Sequence, residues 1–210
     1  MTVFQLILLG ITAFFAYQVY KHINSLDDKP KTPKLFDDGG IASDLKEFTP
    51  ETIYTVAELI QQADEAYEQG DLDKALMILR EANYRKPYDA EILYKIAFIH
   101  YKKAAYQDAI EALEDALKGD DKDPAIYALM ASSYRAKKQY AKAGEMIREA
   151  LRLDPDNAIY HFNYGNILQD LGHFEDAIEE YKKALELDSS LDAAKEEIEK
   201  LQKELSDENK

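Results

Sequence analysis

The histidines and carboxylates are the side chains of this chain that could support acid–base or metal chemistry. The sequence contains His22, His100, His161 and His173, 41 acidic residues and no cysteine. No histidine has a glutamate or histidine partner at the E-x-x-H or H-x-x-x-H spacing that would place two ligands on one face of a helix. We therefore interpret the histidines as structural, and we predict no metal site and no cofactor.

One acidic cluster has a superficial likeness to a calcium loop. Asp120, Asp121 and Asp123 stand close together, but Ala125 and Ala131 replace the glycine at the sixth place and the glutamate at the twelfth. The sequence also has no glycine-rich phosphate loop and no G-x-S-x-G motif. We therefore predict a protein with no catalytic residues, no enzymatic activity and no small-molecule substrate.

The charge of the chain narrows its choice of partners. The 210 residues carry 26 basic and 41 acidic side chains, which gives a formal net charge of −15 at pH 7. Nucleic-acid binding draws on Lys and Arg to displace counterions from the phosphate backbone. The sequence therefore predicts no nucleic-acid partner, whereas the absence of cysteine is compatible with reducing and oxidising compartments alike.

A 34-residue period organises most of the chain, in units 56–89, 90–123, 124–157 and 158–191. Small residues occupy three fixed offsets of the unit: Ala63, Ala97, Ala131 and Gly165; Ala75, Ala109, Ala143 and Ala177; Ala82, Ala116, Ala150 and Ala184. Such a period marks a supersecondary unit that stacks on its neighbours because it cannot bury its own apolar face. The predicted fold is all-α, an α-solenoid of four helix pairs within residues 50–205.

Local signals place the ends of the helices. Thr49-Pro50-Glu51 predicts the start of the first helix, and Gly70-Asp71 predicts its end. Asp89, Asp123 and Asn157 stand at one offset and predict N-caps, and we expect Gly119 to end its helix as a left-handed cap. Large apolar residues stand at the turn inside each unit and are predicted to be core: Leu72, Tyr106, Tyr140 and Phe174.

A last helix is predicted to seal the solenoid. Residues 192–205 place Ala194, Ile198, Leu201 and Leu205 on one stripe. A solenoid otherwise ends in an exposed apolar face, so a one-sided terminal helix acts as a cap. Residues 206–210 are predicted to be a disordered tail.

The repeats resemble the tetratricopeptide repeat. The resemblance is carried by Ala63, Gly70, Ala75, Ala82 and Pro87, and it covers residues 56–191. It implies a concave groove, lined by the first helix of each unit, that takes an extended or helical peptide from a protein partner. The groove positions with binding character are Tyr67, Tyr94, Phe98, Tyr101, Lys102, Arg135, Phe162 and Asn166. The alternative is that several of these rings pack between neighbouring first helices.

Some members of the family that the repeats resemble clamp the carboxylate of a chaperone tail with Lys, Asn, Asn, Lys and Arg. The equivalent positions here are Ile60, Asp64, Lys95, Ala125 and Leu129. The clamp is therefore missing, and the resemblance implies an apolar or aromatic peptide as the ligand rather than a heat-shock protein tail.

The amino-terminal segment predicts a membrane anchor. Residues 2–20 carry no charge, and a helix of that length covers the roughly 30 Å of hydrocarbon in a bilayer. The alternative is a cleaved signal peptide, but the segment has neither the basic leader nor the A-x-A site that a signal peptide needs. We predict a transmembrane anchor at 1–20 and a flexible linker at 21–49, whose Pro and Gly residues hold the repeats away from the lipid.

The lysines after the predicted span favour a cytoplasmic repeat domain. The sequence thus predicts a single-pass, membrane-anchored adaptor that binds a protein partner in its groove. The alternative is a chaperone-like envelope-biogenesis factor with its repeats in the periplasm.

Overall fold

The computed structural model of the chain describes residues 54–208, and every regular element among them is an α-helix. The helices are α1 (Val56–Glu68), α2 (Leu72–Arg85), α3 (Ala90–Lys102), α4 (Tyr106–Ala116), α5 (Pro124–Ala136), α6 (Tyr140–Leu153), α7 (Ala158–Asp170), α8 (Phe174–Leu187) and α9 (Asp192–Glu208). Each helix packs on its neighbours in sequence, and the first helices of adjacent units also touch, α3 against α5 and α5 against α7. The prediction of an all-α solenoid of four helix pairs and a capping helix is confirmed.

The small-residue columns lie at the helix contacts. All twelve predicted positions are buried, and the alanines among them are at most 1 % exposed. Two helices approach at the short end of the 8–10 Å range only where no large side chain intervenes. The 34-residue pattern is therefore the contact pattern of the stack.

As predicted, a side-chain cap stands at the start of the first helix in the second, third and fourth units. Asp89, Asp123 and Asn157 precede α3, α5 and α7, and each side chain accepts a hydrogen bond from a backbone amide two or three residues on, at 2.8–3.3 Å. These bonds satisfy amides that have no partner inside the helix.

The start of α1 differs from the prediction. Thr49 and Pro50 lie outside the described residues, and α1 begins at Val56 with Thr55 as its N-cap. The Thr55 hydroxyl accepts from the Glu58 amide at 3.3 Å, and the Glu58 carboxylate accepts from the Thr55 amide at 2.6 Å. This reciprocal capping box lowers the pKa of Glu58, first through the bond from the Thr55 backbone and then through its hydroxyl.

The turn inside each unit uses a left-handed residue. Gly70 and Gly172 have φ values of 81° and 79°, and Ala104 and Lys138 adopt 57° and 59° at the same offset of the middle units.

The large residues that follow were predicted to be core, but Leu72, Tyr106, Tyr140 and Phe174 are only half-buried. Each is the first residue of its helix, where one side of the side chain still faces solvent.

The role predicted for Gly119 is wrong. Helix α4 ends at Ala116, and Gly119 is not among the residues of positive φ. A Cβ built on Gly119 would lie 2.1 Å from the carbonyl oxygen of Tyr88. Glycine is required here because another turn of the backbone passes against it, which no local signal could reveal.

The capping helix α9 packs on α8 through the predicted stripe. Ala194 and Leu201 are fully buried, and Ile198 and Leu205 are half-buried against the same cluster. The helix continues to Glu208, so the predicted tail begins too early: residues 206–208 are helical.

No helix within residues 54–208 has the length and apolar character needed to cross a membrane. The predicted anchor at 1–20 and linker at 21–49 lie outside the described residues, so both stay predictions.

Candidate binding groove

An apolar pocket opens between α1 and α3, where the first helices of the first two units meet. Its volume is about 200 Å³. The lining residues are Ala63, Asp64, Tyr67, Leu79, Tyr94, Lys95, Phe98 and Ile99. We call this site the aromatic pocket. Three of the eight predicted groove residues, Tyr67, Tyr94 and Phe98, come together here.

Phe98 links the rings of the aromatic pocket. Its centroid lies 5.8 Å from that of Tyr67 with the planes tilted by 51°, and 6.5 Å from that of Tyr94 with nearly parallel planes. These separations fall in the range of favourable aromatic pairs. All three rings are half-buried, so they pack between α1 and α3, as the alternative interpretation held, and also line an open cavity.

Charged groups stand at the edge of the pocket. Lys95 Nζ lies 2.7 Å from Asp64 Oδ1, a pairing that sequence reasoning missed because it joins two helices 31 residues apart. Lys102 is exposed, and its Nζ lies 5.2 Å from the centroid of Phe98, the geometry of a cation–π contact. Lys102 has no carboxylate partner within the described part of the chain, so its ammonium group is available to a ligand.

Burial raises the pKa of Tyr94, and the nearby charge of Asp123 raises it further. The phenol therefore stays protonated across the physiological range and can donate a hydrogen bond to a ligand in the pocket.

A second, more polar pocket of about 320 Å³ lies further along the groove. Its lining includes Tyr101, Arg135, Asn163 and Asp170. Arg135 Nε lies 2.5 Å from Asp170 Oδ2, so this predicted binding residue already has a carboxylate partner. The Tyr101 ring packs on Tyr106 with the centroids 5.6 Å apart. The structure therefore places Tyr101 and Arg135 together, but away from the aromatic pocket.

Phe162 and Asn166 lie against Tyr181 of α8. The rings of Phe162 and Tyr181 have centroids 5.5 Å apart. The Tyr181 hydroxyl donates a hydrogen bond shared between Asn166 Oδ1 at 2.9 Å and Gln169 Oε1 at 2.7 Å. Tyr181 is fully buried, and burial raises the pKa of its phenol. These two predicted groove residues thus hold a core tyrosine in place.

The described histidines include one with both ring nitrogens engaged. His161 Nδ1 lies 2.6 Å from Glu180 Oε2, and its Nε2 lies 2.9 Å from the carbonyl oxygen of Pro155. Both ring nitrogens of His161 thus have partners within the fold, which is consistent with the structural role predicted for it. Residues 54–208 contain no group of three His, Asp or Glu side chains arranged to hold a metal ion.

Stacked helix pairs with a 34-residue period, in which the first helices of adjacent units touch, define a tetratricopeptide-repeat scaffold. Residues 51–205 match the family model of the C-terminal domain of cilia and flagella-associated protein 70. The chain belongs to this family.

Curated relatives share the repeat region. The BBSome complex member BBS4 of Bos taurus is 30 % identical over 135 residues, which are 61 % of this chain and 26 % of the relative. The mitochondrial import receptor subunit TOM70 of Homo sapiens is 28 % identical over 137 residues, 65 % of this chain and 22 % of the relative. The chain thus spans about a quarter of the length of these relatives.

Solved structures share the fold. The crystal structure of MamA has a TM-score of 0.64 at 21 % identity, covering 69 % of this chain and 84 % of that one. The first tetratricopeptide domain of Spaghetti (RPAP3), bound to the HSP90 peptide SRMEEVD, has a TM-score of 0.55 at 24 % identity, covering 56 % and 94 %. At these identities the likeness speaks for the fold alone.

Proposed function

We propose that this protein is a scaffold that binds a segment of a protein partner in its groove, with the aromatic pocket receiving one large apolar side chain of that segment. The observation that carries the proposal is the cluster of Tyr67, Tyr94 and Phe98 around a cavity that remains open between α1 and α3.

The size of the aromatic pocket supports a peptide ligand. Small-molecule sites are usually clefts of roughly 300–1,000 Å³. A cavity of about 200 Å³ with few polar groups suits a single aromatic or branched aliphatic side chain. The rest of such a segment lies along the first helices, where Lys102 can meet an acidic group or a carbonyl.

The comparisons support the same class of function. One relative is a subunit of an import receptor, another is a member of the BBSome complex, and one neighbour in fold was solved with a peptide bound. The clamp positions of this chain, Ile60, Asp64 and Lys95 among them, do not match those that hold a chaperone tail. We therefore propose an apolar or aromatic peptide as the ligand.

Selection from a random peptide display library against the full chain tests the proposal. We expect enriched peptides to share a large apolar residue and to lose at least about ten-fold in affinity for Phe98→Ser, a loss of roughly 1.4 kcal/mol. Serine is the residue at the same offset of the third unit, at Ser132, so the change respects the fold.

Leu187→Ala is the matched control, because it removes a large apolar side chain that is 44 % exposed at the end of α8, outside the aromatic pocket. Peptides that bind wild type and a folded Phe98→Ser variant equally well would refute the aromatic pocket as the binding site.

We further propose that residues 1–20 recruit the scaffold to a membrane, with the repeats on the cytoplasmic side. The absence of charge in residues 2–20 and the lysines that follow support this arrangement. In cells whose outer membrane has been permeabilised, a tag after Lys210 should resist added protease. Cleavage of the tag would instead support the alternative, a repeat domain in the periplasm.

A further inference from the structure

The outer face of α2 exposes large apolar side chains to solvent. Met77 is 62 % exposed and Tyr84 is 82 % exposed, and they stand seven residues apart on one stripe of the helix. Tyr88, just beyond the end of α2, is 55 % exposed. These residues form what we call the α2 patch, which lies outside the aromatic pocket.

The other units carry polar residues where the α2 patch is apolar. The offset of Met77 is occupied by Glu111, Glu145 and Glu179; that of Tyr84 by Lys118, Arg152 and Glu186; that of Tyr88 by Lys122, Asp156 and Ser190. The solenoid therefore does not need an apolar residue at any of these offsets. Since burying such side chains is favourable and exposing them is not, their presence in the first unit indicates a surface that becomes covered.

The charges of α2 form a self-complementary pattern. Arg80 lies on the stripe between Met77 and Tyr84 and has no ion-pair partner among the described residues. Glu81 is next to it and pairs with Arg85 through one carboxylate oxygen at 2.8 Å, which leaves the second oxygen free for another donor. A neighbouring cation and anion on an exposed stripe can form two reciprocal ion pairs with the same stripe of a second, antiparallel helix.

The helix that carries the patch, with its two caps, also differs in charge from the whole chain. Residues 71–86 carry four basic side chains (Lys74, Arg80, Arg85 and Lys86) and three acidic ones (Asp71, Asp73 and Glu81), a net charge of +1, whereas the chain as a whole carries −15. A second acidic body is therefore repelled less at the α2 patch than at the chain's average surface.

We propose that the α2 patch is a self-association surface, on which α2 of a second copy packs antiparallel across a two-fold axis between Arg80 and Glu81. In this register Met77 lies opposite Tyr84 of the second copy, a favourable sulfur–aromatic contact. Arg80 lies opposite Glu81 of the second copy, and the same contacts recur on the other side of the axis.

The size of the patch sets the strength of the association. One helix face per protomer buries less than the roughly 1,200–2,000 Å² of a standard interface, so the dimer is weak and depends on concentration.

Disulfide crosslinking of the full chain tests the register, with no background because the chain has no cysteine. We expect a mixture of the Met77→Cys and Tyr84→Cys variants to form oxidised dimers faster than either variant alone. Either variant alone should crosslink slowly, because the same residue in the two copies is displaced by roughly 10 Å along the antiparallel helix pair. This exceeds the roughly 7 Å limit for Cα atoms joined by a disulfide. The matched control mixes Glu145→Cys with Arg152→Cys, at the same offsets of the third unit, and should crosslink far less.

A second measurement asks whether the uncrosslinked protein associates. The apparent mass of the full chain in detergent, measured by light scattering, should rise with concentration in wild type. It should stay monomeric in Met77→Glu and Tyr84→Lys, which carry the residues of the second unit and should keep wild-type helix content by circular dichroism. A wild-type chain that stays monomeric at all concentrations, or crosslinking no faster than the control mixture, would overturn the proposal.

Discussion

The ring of Tyr181 packs directly on the backbone of Gly165, so closely that a Cβ built on the glycine would lie 2.6 Å from two ring carbons. The other units fill the same two offsets with a different pair. They carry alanine at the offset of Gly165 and leucine or isoleucine at that of Tyr181: Ala63 with Leu79, Ala97 with Leu113, and Ala131 with Ile147. In the fourth unit a larger side chain on one helix is matched by the loss of a methyl group on the other.

We predict that Gly165→Ala destabilises the fold by about 1–3 kcal/mol, the usual cost of overpacking a core. This cost exceeds the roughly 0.5–1 kcal/mol that alanine gains over glycine inside a helix. Gly165→Ala with Tyr181→Leu restores the pair found in the first two units. The double variant should therefore lose less stability than the sum of the two single variants, as measured by urea unfolding. Strictly additive losses would show that the two residues do not constrain each other.

Two glycines should respond to alanine with opposite signs. Gly119→Ala places a methyl group 2.1 Å from the Tyr88 carbonyl oxygen, so the turn must move and the midpoint of thermal unfolding should fall. Gly144 lies inside α6, where an added Cβ meets only the end of the Arg148 side chain at 3.4 Å and Ile167 at 3.9 Å. Gly144→Ala should therefore stabilise by roughly 0.5–1 kcal/mol through helix propensity. Equal shifts in one direction would contradict this account of both sites.

Acid should weaken the fold partly through His100. Burial lowers the pKa of this imidazole, although Asp108 raises it in part, while Arg80 and Lys103 lower it further. The unfolded chain takes up the proton near the ordinary pKa of 6.5, but the folded chain takes it up only at lower pH. The stability from neutral His100 is therefore complete above pH 6.5 and is lost as the pH falls through the folded pKa.

His100→Gln removes this titration, so its free energy of unfolding should fall less steeply than that of wild type between neutral and mildly acidic pH. Urea titrations at several pH values give both curves, and parallel curves would remove His100 as a source of acid sensitivity.

The first turn of α1 should depend on its capping box. Thr55→Ala removes the hydroxyl that accepts from the Glu58 amide and should cost about 1 kcal/mol in thermal or urea unfolding. Thr55→Ser keeps a hydroxyl at the same place and should remain close to wild type. If both variants were equally destabilised, the methyl group of Thr55 rather than its hydrogen bond would be the stabilising feature.

The features predictable from sequence are those that act within one helix or recur at a fixed offset. Asp89 and Asn157 cap helices through bonds to amides two or three residues away, so their role is visible in the local sequence. The buried alanine columns, such as Ala109 and Ala143, are visible because the same contact is repeated at each unit. These signals sufficed for the helix pairs, for the order of the stack and for the capping helix.

The candidate site was only partly predictable, because it depends on which first helices face one another. The offset rule identified Tyr67, Tyr94 and Phe98, and the structure brings these three together. The same rule placed Phe162 in the groove, although its ring packs on Tyr181, whose large side chain departs from the leucine and isoleucine of the other units. A periodic rule cannot anticipate a contact that occurs in one unit alone.

The amino-acid sequence by itself determined the repeat, its small-residue contacts and most of its helix ends, since helix formation and capping depend on interactions over a few residues and a repeated contact leaves a repeated pattern. Only the tertiary structure decided that Gly119 packs against the carbonyl group of Tyr88 and that Asp64 pairs with Lys95. It also decided that the Tyr181 ring fills the space left by the missing methyl group of Gly165. These contacts join residues 16 to 31 positions apart, and they depend on how one helix pair is rotated and displaced against the next.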